Sequence, residues 1–114
     1  IFGFIQMGHV HKPGHGNKPH DHGPCWVVYG SFSGVTEITK YKRIDDGSEP
    51  GVARLEKERL DRLTPGVVVP YLPGDIHSTH AAEGPGVVFR FLSYDLEKIE
   101  RYRYNPEKHT VAKV

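Results

Sequence analysis

The chain holds one cysteine, one methionine and one tryptophan in 114 residues. A single thiol cannot close an internal disulfide, so the fold stands without one and a reducing compartment suits it; the expected location is the cytoplasm. Long apolar runs are missing too. Segments such as "VVVPYL" and "VVFRFL" fall far below the roughly 18 residues that cross a bilayer as a helix, and no membrane partner is expected. No charged stretch followed by an apolar run and a small-residue cleavage site opens the chain, so no secretory leader is expected in it, although it begins on Ile1 rather than Met. Nor does one sign of charge dominate. Fifteen Lys and Arg face fourteen Asp and Glu, a formal +1, which gives no basic footprint for nucleic acid.

What is present points to strands. Nine prolines and thirteen glycines punctuate the chain at "KPGHGNKP", "DDGSEPG", "LTPG", "LPGD" and "AAEGPG", and the segments between them are rich in Val, Ile, Tyr and Phe. That rhythm predicts an all-β sandwich or barrel, with strands at "FGFIQMGHV", "WVVYGSF", "VTEITKYKRI", "GVVVPYL" and "GVVFRFLSY". Between residues 35 and 43 Val35, Ile38 and Tyr41 alternate with polar neighbours except for one slip, which a bulge explains. "ARLEKERLDRL" has helix-forming composition, but the turns on either side leave room for a strand and it is read as one. Trp26, opening an apolar strand, is expected in the core. In the tail, "EKIERYRY" is read as a short helical turn before Asn105 and Pro106. At this length the whole chain, 1–114, is one domain with one core.

Eight histidines are the chemical signal. His20 and His22, in "KPHDHGPCW", sit at i and i+2, and in a strand their side chains project from one face toward a common ion. A transition-metal site needs a third protein ligand. "PYLPGDIHSTH" offers His77 just after a turn, with His80 three residues on. His9 and His11 in "GHVHKPGHG" repeat the spacing, but nothing later completes a motif with them, so they are read as flanking the barrel mouth; His15 and His109 are read as solvated loop and tail residues. Because a ligating imidazole must be neutral, metal affinity is expected to fall as pH drops through about 6.5.

"PHDHG", the "YGSFSG" turn after it and "GVVVPYLPGDIH" together resemble the two motifs of the cupin superfamily, over roughly residues 5 to 95. The resemblance implies a double-stranded β-helix, a jelly-roll barrel, with the core at about 5–95 and residues 96–114 as a peripheral tail. It implies metal ligands His20, His22 and His77. Many cupins carry a glutamate ligand shortly after the histidine pair; here Gly23, Pro24, Cys25 and Trp26 occupy that region, and Leu72 stands where proline is frequent. An all-histidine set is similar to that of thiol dioxygenases, in which a cysteine can be linked to a tyrosine beyond the third histidine; Cys25 and Tyr94 are the corresponding pair. Cys25 follows His22 more closely than that branch's cysteine does, Arg90 and Leu92 replace the branch's serine and histidine, and its substrate-holding arginine would fall before Ile1.

The expected activity is therefore a non-haem iron dioxygenase acting with O₂ on a small thiol or related organic acid. The cofactor implied is Fe(II), with Zn, Ni and Mn as alternatives. Tyr94, Arg90 and Cys25 are the candidate catalytic residues: Arg90 to pair with a substrate carboxylate if it faces inward, Tyr94 to donate a hydrogen bond, and Cys25 as a near-site group or a buried small hydrophobe. The alternatives are an isomerase or lyase in which Tyr71 or Tyr94 moves a proton, and a binding module without catalysis. Cupin edge strands often pair, so a homodimer is the family-level expectation.

Overall fold

The computed structural model describes residues 5–11, 16–93 and 99–114. Among these the chain is all β: β1 (Ile5–His11), β2 (Val27–Arg43), β3 (Leu55–Leu63), β4 (Val68–Tyr71), β5 (Ile76–Leu92), β6 (Tyr102–Asn105) and β7 (Thr110–Lys113). Strands β2 and β5, 17 residues each, pair antiparallel from Val27 opposite Leu92 to Tyr41 opposite Ile76. A straight strand of that length would run roughly 55 Å, longer than the 41 Å greatest extent of the molecule. Both strands therefore bend.

The bend falls where the pairing slips between Ser31 and Thr36. The sequence reading places a tight turn at "YGSFSG" between two strands; instead one strand passes through it, with Gly34 at φ 71° absorbing an irregularity that side chains rarely tolerate. Val35 and Thr36 are consequently both buried, although adjacent. This is the slip in alternation read from the sequence.

Around this central pair, β4 lies against Val27–Gly30 and β3 against Thr36–Arg43, both on the same edge of β2. On the far edge of β5, β1 pairs with Gly86–Leu92. The "ARLEKERLDRL" segment is indeed a strand. Packing overrides its helical composition because β2 supplies the backbone partners, and Leu63 is fully buried while Leu60 is 59% exposed. Its outer face carries the ion pairs Lys40–Glu58 and Arg62–Glu37, charges of the kind that discourage further pairing at an edge.

The main core comprises Cys25, Val27, Tyr29, Ile38, Leu63, Tyr71, Val88 and Leu92. Ile38, Leu63 and Leu92 are essentially sealed from solvent, each contributing about 1.5–3 kcal/mol of hydrophobic stabilisation. Trp26 is not among them. It is 40% exposed, because the inward positions of β2 begin at Val27. The tail also departs from expectation: residues 102–104 of "EKIERYRY" form strand and not a helical turn, paired with β7 in a hairpin, and residues 97 and 98 lie outside the described set. Tyr104 from this hairpin builds a second small core with Ala53 and Ile76.

Candidate metal centre

Residues 16–22 form a strip wedged between β5 and β6. On one side Asn17 N–H donates to Thr79 C=O at 3.1 Å, and His20 and His77 exchange both backbone hydrogen bonds at 3.0 Å. On the other, Tyr104 N–H donates to Pro19 C=O at 2.8 Å and Asp21 N–H to Tyr102 C=O at 3.0 Å. The strip's extended backbone puts His20 and His22 on one face. Directly opposed residues of an antiparallel pair also share a face, so His77 joins them. Gly23 then ends the strip at φ +55°, where a Cβ would collide with the Glu100 carbonyl; only glycine fits, and the chain leaves immediately after His22.

The three imidazoles converge. Their candidate ligand nitrogens all lie within 4.8 Å of one another, and their ring centroids are 4.7–5.0 Å apart. His80 is exposed and outside the cluster, which leaves His77 as the third member. His20 Nδ1 lies 2.9 Å from the Lys18 carbonyl; placing the proton there leaves Nε2 as a lone-pair donor. Both ring nitrogens of His22 are buried and meet no hydrogen-bond partner.

Burial keeps the cluster uncharged. It pushes His22 down to about 3, aided by neighbouring His20 and by Arg90 and Arg101. It holds His77 well below the usual imidazole range, with His20 and His22 adding to the effect, and it lowers His20 against the opposing influence of the Lys18 carbonyl. Three neutral, closely spaced imidazoles with orphaned nitrogens are the donor set a divalent transition metal takes. The residues fit such an ion.

Two aromatic neighbours hold His77. Tyr29 Oη lies 3.1 Å from His77 Nε2, and burial pushes the phenol up to about 12 against the pull of Arg90, which hydrogen-bonds it. Tyr71 stacks on the same imidazole at 4.9 Å, but its hydroxyl turns away and donates to Asp61 at 2.6 Å. Tyr71 therefore turns its hydroxyl away from the cluster, contrary to the lyase reading, whereas the Tyr29 hydroxyl lies against it. Tyr29 was not singled out from the sequence; its position two residues after Val27, on the same face of β2, was the available sign.

Arg90 faces inward. Val88 and Leu92, on its side of β5, are buried, Tyr29 is its cross-strand partner, and the ring of Phe89 on the other face packs against the exposed Phe32. Arg90, His20 and His22 line a cavity of about 480 Å³ together with Lys18, Arg101 and Arg103. The last two come from the tail and were not singled out from sequence; the alternation in "RYRY" was the available sign. Cys25 is a core residue, 1% exposed, with Ser93 Oγ 3.4 Å from its sulfur, and it is not among the cavity-lining residues. Tyr94 and His15 lie outside the described residues, as do the side chains of His9 and His11, so the Cys25–Tyr94 pair has no structural description.

No family model matches the sequence, and no curated protein matches it. Solved structures do. The DMSP lyase DddQ from Ruegeria pomeroyi superposes with a TM-score of 0.64 at 20% identity, over 91% of this chain and 44% of that one. Oxalate decarboxylase from Bacillus subtilis gives 0.63 at 17%, over 90% and 24%. Oxalate oxidase in complex with the substrate analogue glycolate gives 0.63 at 15%, over 80% and 42%. The chain thus spans less than half the length of each of these three. At such identities the shared property is architecture, and that architecture, a jelly-roll barrel with the histidine strip along one long bent strand, is the cupin fold.

Proposed function

We propose that this chain is a metal-dependent enzyme that holds Fe(II) through His20, His22 and His77 and uses O₂ to oxidise a small thiol or related organic acid. One observation carries the reading: three neutral imidazoles, His22 and His77 buried and His20 partly so, converge within 4.8 Å, and two of them line a cavity rich in arginine. When bound, the ion supplies redox and Lewis-acid chemistry at open coordination positions. Without a carboxylate among the three histidines the centre stays strongly positive, which favours an anionic, soft ligand such as a thiolate.

The chain's own groups divide the remaining work. Arg90, beside Tyr29 on the inner face, is placed to hold a substrate carboxylate with its planar fork. Tyr29 keeps its proton at neutral pH, and its Oη lies one hydrogen bond from His77 Nε2. The surrounding core, with Tyr71 and Leu92 each 1% exposed, limits water on the barrel side.

The test is oxygen consumption by protein reconstituted anaerobically with Fe(II) and challenged with cysteine, 3-mercaptopropionate and a panel of other thiols. Thiol-dependent uptake that disappears in His77→Ala supports the reading. Metal retained without uptake on any thiol overturns thiol oxidation and moves the reading to a lyase, an isomerase or a different substrate. Tyr29 favours the lyase or isomerase among these, because a protonated phenol at the cluster is what proton transfer to or from a substrate needs.

A further inference from the structure

The cavity beside the histidines is unbalanced in charge. Among the described residues, Lys18, Arg90, Arg101 and Arg103 bring four positive side chains to its wall, against one acidic side chain, that of Asp21, with Val114 beside them. Asp21 is occupied elsewhere. Its Oδ1 accepts from the backbone N–H groups of Gly23 and Tyr102, each at 3.1 Å, and its Oδ2 accepts from Tyr104 Oη at 2.8 Å. Its alternation with His20 and His22 also turns it from the face they share.

The arginines reach the cavity by design of the hairpin. Arg101 and Arg103 are two residues apart, so they project to the same side, while Tyr104, one position on, points the other way and packs with Ala53 and Ile76. The backbone bonds from Tyr104 to Pro19 and from Asp21 to Tyr102 fasten this hairpin beside the ligand strip. Arg90 arrives from a different element, β5.

We infer that the natural ligand of this cavity is a small dianion, a dicarboxylate or an acid with a second anionic group, with one end directed to the histidine cluster and Arg90 and the other held by Arg101 and Arg103 of the tail hairpin. The inference rests on the metal reading above, since it places one end of the ligand at that centre. The physical reason is charge: a divalent ion held by neutral imidazoles and four flanking cations leave an excess that one carboxylate cannot neutralise. Paired guanidinium groups at i and i+2 suit the bidentate recognition of a carboxylate.

Succinate and butyrate differ by one negative charge at equal chain length, and they are the probes. Each is titrated calorimetrically into zinc-loaded protein, which needs no turnover, with zinc content measured on the same samples. Succinate is expected to bind about tenfold or more tightly than butyrate, with the preference shrinking at high salt. In the Arg101→Gln/Arg103→Gln variant the preference should vanish while zinc content and melting temperature are kept; the Arg101→Lys/Arg103→Lys variant should recover part of it. Equal binding of the two acids by the parent protein, or a preference that survives in the glutamine variant, overturns the inference. Protein that retains no zinc yet prefers succinate through these arginines overturns the metal reading and leaves their anion-binding role standing.

Discussion

His20 and His77 face each other across an antiparallel pair and exchange both backbone hydrogen bonds at 3.0 Å. Residues 57 positions apart in sequence are thereby locked with their imidazoles 4.7 Å apart. Since the backbone does the locking, a side chain can be removed without releasing the strip.

His77→Ala is therefore expected to fold and to lose its metal, with affinity down more than about a hundredfold, beyond the usual effect of removing a group that merely supports a ligand. His80→Ala should keep a full equivalent. Metal content after dialysis decides this, and equal retention by the two variants would remove His77 from the site.

The metal-free protein should weaken in acid. An unfolded histidine titrates near 6.5, whereas burial holds folded His22 at about 3. Below pH 6.5 the unfolded state takes up the proton and the folded state does not, so stability is full above 6.5 and declines as pH falls toward 3. His22 alone accounts for about 2 kcal/mol of loss at pH 5. Denaturant unfolding at pH 7, 6 and 5 measures the slope, which His22→Leu should flatten; a midpoint unchanged over this range contradicts the buried neutral cluster. For the same reason, loss of bound metal should begin below the pH 6.5 that ordinary histidine ligands imply.

Tyr29→Phe removes one buried hydroxyl. Stability should fall by about 1 kcal/mol with metal stoichiometry unchanged, while kcat falls by about a hundredfold or more, the range of a lost proton donor. A kcat close to that of the parent would reduce Tyr29 to a packing partner of His77.

Asp21→Ala severs the hydrogen bonds to Gly23, Tyr102 and Tyr104. A loss of about 3 kcal/mol is expected, with increased proteolysis between residues 99 and 114 as the hairpin loses its tether. Cleavage no faster than in the parent protein would show that the backbone bonds alone hold it.

Much of this protein was legible in its sequence because local rules carry it. Glycine and proline spacing determined an all-β chain, period-two alternation determined the faces of most strands, and the i, i+2 spacing of His20 and His22 determined a shared face. Other features depended on contacts between distant segments. Whether His77 or His80 completes the cluster was decided by the register of residues 16–20 on β5, and a one-residue slip would have reversed it. Arg90 turned inward because Val88 and Leu92 took the core positions on its face of β5, and Tyr29 became a site neighbour because β2 placed it opposite Arg90. Arg101 and Arg103 entered the cavity only when the ligand strip offered an edge to the tail, so that residues read as a peripheral cover became its wall. Pairing between segments more than 80 residues apart leaves no mark in local pattern, and the cavity's charge was set by it.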